Sequence, residues 1–340
     1  MSSQLPDIEF TTSADRLIVA LYDPYDDRRF LEVTLAAVAG EVTLAEVRDA
    51  VEQRMTDLDT QRMNLQVLWR ENETDSWSSK SVRVHYCDLD FDGDADTWLL
   101  SHFLTTQSWK PMPVDGHIEL LHLYHPTAGE QITFAMQAMC RLDDGTITPV
   151  TLSESSSVEA ADLVIGFSWT LQDVKARVEQ QIEQNADILA VSVMAGLRTM
   201  NYYSTLQPDL VLRFRNCFNV DEWAAINCAT RRKVRDNRDT AMVGRRAVRY
   251  GRGRAVEYET ETAPLMMAHA LWLDQALTSP ATWLADGTPI VITDSDISVT
   301  DDWAALNTVK FTWRRADGRA HIVVEQRDRI FTEEFTRQFD

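Results

Sequence analysis

Residues 43–55 read TLAEVRDAVEQRM and residues 170–182 read TLQDVKARVEQQI, identical at six of thirteen positions at a constant offset of 127. Both runs space apolar residues as one face of a helix: Leu44, Val47, Val51 and Met55 in the first, Leu171, Val174, Val178 and Ile182 in the second. Both open on a threonine with an acid three residues on, Thr43/Glu46 and Thr170/Asp173, the pattern of a side chain capping a helix start. The flanks repeat as well. Each helix follows a strand-like run (FLEVTLAAV, DLVIGFSW) and precedes another (NLQVLW, ILAVSVM). A helix held between strands, occurring twice, is what an internal duplication leaves in a sequence.

The rest of the chain reads as strands and hairpins. Asp144-Gly145, Asp286-Gly287 and Asp317-Gly318 each sit between alternating runs, where Asp-Gly supplies the positive φ angles of a tight turn. In the last of these, Val309, Phe311 and Trp313 face one way and Lys310, Thr312 and Arg314 the other. A further helix is expected at about 263–277, with Pro264 in its first turn and Ser279-Pro280 beyond its end. The run TLSESSSVEAAD (151–162) is Ser- and acid-rich without a period and reads as a linker. The expected fold is therefore α+β, with two related domains of mostly antiparallel sheet, each covered by one or two amphipathic helices. They would span residues 1–155 and 156–340, and the second would hold a basic hairpin region at 231–254.

That basic region stands against the composition around it. The chain carries 33 Lys+Arg and 53 Asp+Glu, a net charge of −20, yet residues 231–254 hold ten Arg/Lys and only Asp236 and Asp239. The remaining 316 residues carry a net charge of −28. A cationic strip on an anionic body calls for a negative partner, nucleic acid or an acidic protein surface. A domain built for nucleic acid is usually basic throughout. The charge balance therefore favours docking on the acidic face of an identical neighbour, in a contact that closes into a ring or runs on as a stack. Arg245, Arg246, Arg249, Arg252 and Arg254 are the expected partner-binding residues, in a chain where Arg outnumbers Lys 28 to 5.

Other candidate chemistry is sparser. Asp88, Asp90, Asp92, Asp94 and Asp96, with Gly93 at the sixth position, have the alternate oxygen spacing of a Ca²⁺ loop. Leu99 stands where an EF-hand has its bidentate Glu, and a strand-like run precedes the loop, so a strand-borne calcium loop is the nearer analogy. That motif, with Trp98 and Trp109, supports the alternative reading of a calcium-dependent carbohydrate-binding module. In GHIELLHLYH, His117, Glu119 and His125 share a strand face that could hold Zn²⁺, while His122 faces the other way. Cys87, Cys140, Cys217 and Cys228 form no Cys-x-x-Cys pair and read as reduced, mostly buried thiols. No nucleophile elbow, P-loop or His-Glu-x-x-His motif is present, which argues against an enzyme. No secretory signal and no apolar run of membrane-spanning length is found.

The runs LVLRFRNCFNVDEWAAI (210–226), VEYETETAPL (256–265) and ITDSDISVTDDWAALNTVKFTWRRADGRAHI (292–322) resemble uncharacterised proteins of phages and prophages of Bacteroides-type gut bacteria. The resemblance covers about residues 210–322 and rests on the Arg-Phe-Arg-Asn strand, the Glu-Thr-Ala-Pro helix start and the Phe-Thr-Trp-Arg hairpin. Members of that kind resemble tail or adaptor parts of the virion and bring no catalytic residues. The family segments usually have Pro where Cys217 stands and fewer arginines after 231. The resemblance implies a self-assembling virion component, located in the particle or in the bacterial cytoplasm during assembly, with other copies or other virion proteins as partners.

Overall fold

The computed structural model describes residues 7–45, 47–88, 94–113, 117–159, 163–204, 207–243, 245–297 and 306–316, with backbone alone for 95, 96, 163, 235–243 and 247–255. Strands dominate, mostly antiparallel and arranged in several sheets, with four helices among the described residues.

The first part comprises β1 (Ile8–Thr11), β2 (Arg16–Asp23), β3 (Arg28–Ala36), β4 (Glu41–Leu44), α1 (Val47–Asp57), β5 (Arg62–Arg70) and β6 (Ser78–His85). After α2 (Ala95–Ser101) and β7 (Trp109–Pro111) come β8 (Glu119–His125), β9 (Gln131–Leu142), β10 (Ile147–Ser157), β11 (Leu163–Trp169), α3 (Leu171–Ile182), β12 (Ala186–Ala195) and β13 (Arg198–Tyr203). The last part holds β14 (Leu210–Arg215), β15 (Asp221–Ile226), β16 (Cys228–Val243), β17 (Arg246–Thr262), α4 (Met267–Thr278), β18 (Thr282–Leu284), β19 (Pro289–Ile297) and β20 (Val309–Arg315).

One topology recurs. A strand and its hairpin partner are followed by a helix, then by a strand that pairs antiparallel with the first, then by that strand's own hairpin partner. The resulting orders are β3-β2-β5-β6 around α1 and β10-β9-β12-β13 around α3. Each of these two units also pairs the strand before its sheet with the strand before its helix, β1 with β4 and β8 with β11. The order β15-β14-β18-β19, with α4 between β15 and β18, repeats the four-strand pattern a third time. Here β20, β17 and β16 extend it to seven strands, and β7 adds in parallel beside β13 to make five.

Burial follows the alternation of the strands. Three large apolar clusters form, one each for α1, α3 and α4 with their sheets. Val47, Val51 and Met55 of α1 pack with Leu17, Val19, Leu21, Leu65 and Val67. Val174 and Val178 of α3 pack with Phe134, Met136, Val191 and Val193. Ala270, Leu273 and Leu277 of α4 pack with Phe214, Phe311 and Trp313. The expected stripes are therefore buried faces, with one correction. Leu44 and Thr43 lie in β4, where the alternating EVTL run pairs with β1. Thr43 is thus opposite Glu9 in a ladder and is no cap, whereas the Thr170 hydroxyl accepts a bond from the Asp173 N–H at 3.0 Å.

Two turns form as expected, with Gly145 at φ +84° and Gly287 at φ +82°. Asp317-Gly318 lies outside the described residues. The expected linker at 151–162 is instead strand through Ser157, an edge strand whose outward residues Thr151, Ser153, Ser155 and Ser157 are small hydroxyls while Leu152 and Glu154 have the inward parity. A division at 155/156 would cut β10 within its pairing to β9. Thr170→Ala is expected to cost about 1 kcal/mol of stability through the lost cap, while Thr43→Ala stays nearly neutral. Urea denaturation of the two variants checks both.

Candidate functional site

The basic run forms a long antiparallel ribbon of β16 and β17. Their register continues from Cys228↔Thr262 to Val243↔Arg246. β20 accompanies β17 only at Tyr258–Glu261. From Lys233↔Glu257 onward no third strand is paired among the described residues. At about 3.4 Å per residue the unaccompanied part runs roughly 34 Å beyond the sheet. That is about three Debye lengths at 0.1 M salt, so the anionic body acts only weakly on the tip.

The ribbon is sided. Between Arg238↔Arg252 and Asp239↔Tyr250 the register skips Gly251. This bulge shifts β17 by one residue, so Arg249, Arg252 and Arg254 share a face with Arg238. Ala241, Val243, Val248 and Tyr250 share the other face with Lys233, Arg235, Asp239 and Arg246. Arg245 and Arg246 are exposed at the tip. Arg249, Arg252 and Arg254 are placed on β17 by the backbone, and their side chains lie outside the described part.

At the ribbon's base, β17 is acidic. Glu257, Glu259 and Glu261 alternate with the inward Tyr258, Thr260 and Thr262. Lys233 pairs with Glu259, and Lys310 with Glu261 at 3.3 Å. Tyr258 stacks on Trp313 at 4.3 Å, and the Trp313 Nε1–H donates to the Thr260 hydroxyl at 3.0 Å. The ribbon therefore springs from a packed, ion-paired base.

At the other edge of the seven-stranded sheet, β15 contributes to a buried ionic cluster that sequence reasoning missed. Glu222 of β15, Lys110 of β7 and Glu119 of β8 are all buried. Lys110 Nζ lies 2.5 Å from Glu222 Oε1 and 3.6 Å from Glu119 Oε1. Thr105, Trp272 and Asn216 donate to Glu222 at 2.6, 3.0 and 2.7 Å, and the Tyr202 hydroxyl donates to Glu119 at 3.0 Å.

Burial opposes charge on Glu222, but the Lys110 ammonium and the surrounding donors outweigh it and hold this carboxyl below its ordinary 4.5. For Glu119 burial wins over Lys110 and Tyr202, and its carboxyl is raised. Burial likewise opposes charge on Lys110, yet the two glutamates raise it. The signal was present as polarity at core parity. Glu222 alternates with Ala224 and Ile226, and Glu119 with Leu121 and Leu123.

The turn before Glu222 joins all three units. The Asn216 side chain accepts from the Phe218 and Val220 N–H groups at 2.9 and 3.3 Å and donates to the Leu104 carbonyl at 2.8 Å. Arg215 reaches Asp59 at 2.6 Å, and the Asn219 side chain, in a left-handed backbone at φ 54°, donates to the Thr60 carbonyl at 3.0 Å. Leu104, Cys217, Phe218 and Val220 cluster there, with Cys87 and Trp98 packed against them. Nearby, Arg198 donates to the carbonyls of His102, Leu99 and Tyr124.

The remaining sequence candidates separate. Asp90 and Asp92 lie outside the described residues. Asp88 lies 3.8 Å from Arg48 across an ion pair. Asp94 accepts from the Thr97 hydroxyl at 2.5 Å. Asp96 falls within α2. Trp98 is not an open platform, because it stacks between Phe218 and His102 at 5.0 and 4.9 Å, whereas Trp109 is 54% exposed.

The zinc face does not assemble. Glu119 is taken by Lys110 and Tyr202, His117 lies against Trp223, and His125 against Glu130. Among the described residues no group of three His, Cys, Asp or Glu side chains is placed to hold a metal. The four cysteines are thiols, with Cys140 and Cys217 buried and Cys87 and Cys228 half-buried. No helix among the described residues is long and apolar enough to cross a membrane. No family model, curated protein or solved structure matches the chain.

Lys110→Met leaves Glu222 buried without its counter-charge and is expected to cost about 3–5 kcal/mol at pH 7. Glu119→Gln is expected to be tolerated, because burial already opposes the charge on Glu119 more than Lys110 and Tyr202 favour it. Its raised folded pKa makes its ionisation cost stability as pH rises above 4.5, so the variant gains on the native protein over that rise. The Glu222 contribution runs oppositely. It is present above 4.5 and is lost as pH falls through its lowered folded pKa. Denaturation midpoints of the three proteins between pH 3 and 8 check these signs.

Proposed function

We propose that the protein is a structural, self-assembling component of a tailed phage or prophage particle. In this reading it packs by laying its basic ribbon on the acidic surface of a neighbour. It works in the virion and, before incorporation, in the bacterial cytoplasm, and its partners are copies of itself or other particle proteins. The two units that share a six-strand topology are copies of one ancestral α+β domain. The 127-residue echo supports that reading, and the third four-strand pattern extends it.

The observation that carries the assembly reading is the projecting ribbon. A lone two-stranded ribbon is marginal in water, since it has two open edges and no covered face. Over roughly 34 Å this one has no third strand paired among the described residues, and it gathers most of the clustered positive charge of a chain that is otherwise at −28. Such an element gains its stability from a surface supplied in trans.

Its mixture of apolar and cationic positions favours protein over nucleic acid. A phosphate backbone would engage the arginine positions and leave Ala241, Val243, Val248 and Tyr250 uncovered. A protein surface can take both faces, with electrostatic complementarity setting encounter and register.

Arg245→Glu with Arg249→Glu is expected to block assembly, seen as loss of the oligomer in gel filtration, without lowering the melting temperature. Normal assembly in the double variant would sink the proposal. Assembly that needs added DNA would point to nucleic acid instead.

A further inference from the structure

The five-stranded sheet β10-β9-β12-β13-β7 presents an outward face unlike the rest of the surface. Its inward residues, such as Phe134, Met136, Val191 and Val193, form the core under α3. By register its outward rows include Thr133 beside Ser155, and Gln137 between Thr151 and Ser192. The half-exposed Met139 and Met194 lie among them. One quarter of the chain is charged, yet in the β9, β10 and β12 rows only Arg141 and Asp187 are, and these pair with each other at 2.9 Å at one corner. The hydroxyls also pair within the face, Thr133 with Ser155 at 3.1 Å and Ser192 with Asn201 at 2.7 Å. A sheet face with little charge and paired hydroxyls costs little to desolvate.

The acids of this unit lie at the ends of its strands. Asp143 and Asp144 are exposed at the β9–β10 turn, and Glu130 and Glu159 are exposed at the opposite end. Residues 86–204 as a whole carry seventeen acidic against five basic side chains.

We infer that this face is the acceptor for the ribbon of a second copy, laid along β9 and β10. The inference rests on the assembly reading above and names its surface. Three properties match. The unaccompanied ribbon has eleven register pairs, and β9 and β10 have eleven. One ribbon face is sparsely charged in its middle, where Asn237, Ala241, Val248, Tyr250 and Gly253 share positions with Asp239 as the one charged residue, much as the sheet face is sparsely charged. That same ribbon face carries Lys233 and Arg235 toward its base and Arg246 at its tip, where the sheet carries its acids at both ends. The contact joins unlike surfaces of identical chains, so each copy offers one ribbon and one acceptor face, the arrangement that closes into a ring or continues as a stack.

The test places Gln137→Arg and Thr151→Arg, both outward and exposed, in the full-length chain and compares it with the ribbon variant Arg245→Glu/Arg249→Glu. The expected result is loss of the oligomer in both variants with melting temperatures unchanged. An assembling face variant beside a monomeric ribbon variant overturns the acceptor while leaving the assembly reading intact. Assembly in both overturns both. If the face variant melts early, a photo-crosslinking amino acid at Gln137 decides. Crosslinks into residues 233–257 of an isotope-distinguished second copy support the acceptor, and crosslinks only elsewhere overturn it.

Discussion

The Glu222 carboxylate, buried against Lys110 and three further donors, fixes how the parts of this protein sit together. It lies on β15, its counter-ion on β7 beside the second unit, and Trp272 on α4. The turn leading to it bonds the first unit through Asp59 and Thr60. A buried ion pair of this kind is poor evidence of net stability, because desolvation opposes the Coulomb gain. Its cost when broken is large, however, and that asymmetry makes one relative placement of the units much better than the others. Glu119, with its raised pKa, shows the limit. One ammonium does not fully stabilise two carboxylates in a dry site.

On that frame the third sheet does something the first two do not. The four-strand order around α4 is continued by β20, β17 and β16, and the last two run on past the sheet. The ribbon's base is neutralised by pairs such as Lys310–Glu261 and anchored by Tyr258 on Trp313. Along its outer part no third strand is paired among the described residues. A rigid, well-paired root with an under-supported cationic arm is the physical basis for reading the arm as an assembly element. Gly251 matters here because the bulge at that point brings Arg249 onto the face of Arg252 and Arg254.

Much of the fold was legible because it rests on local periodicity. The duplicated helix stripe, the two described Asp-Gly turns and the alternation of Val309, Phe311 and Trp313 all followed from spacing. Thr43 misled because a short strand and a helix cap share the same Thr and acid pattern, and pairing with β1 decided between them. The Ser-rich run misled because an edge strand with a solvent face needs few apolar residues. The Lys110–Glu119–Glu222 cluster lay in three distant segments. Only the polarity at core parity hinted at it, and no spacing could say that the three meet. The ribbon's charge was plain in the sequence, while its reach past the sheet depended on β20 stopping short, which no local pattern records.

The most direct test of an electrostatically driven assembly is molar mass by light scattering across a salt series from about 0.05 to 1 M, a range over which the screening length falls from over 10 Å to about 3 Å. An oligomer or growing polymer at low salt that dissociates as salt rises is the predicted result. A monomer at every salt concentration would contradict it.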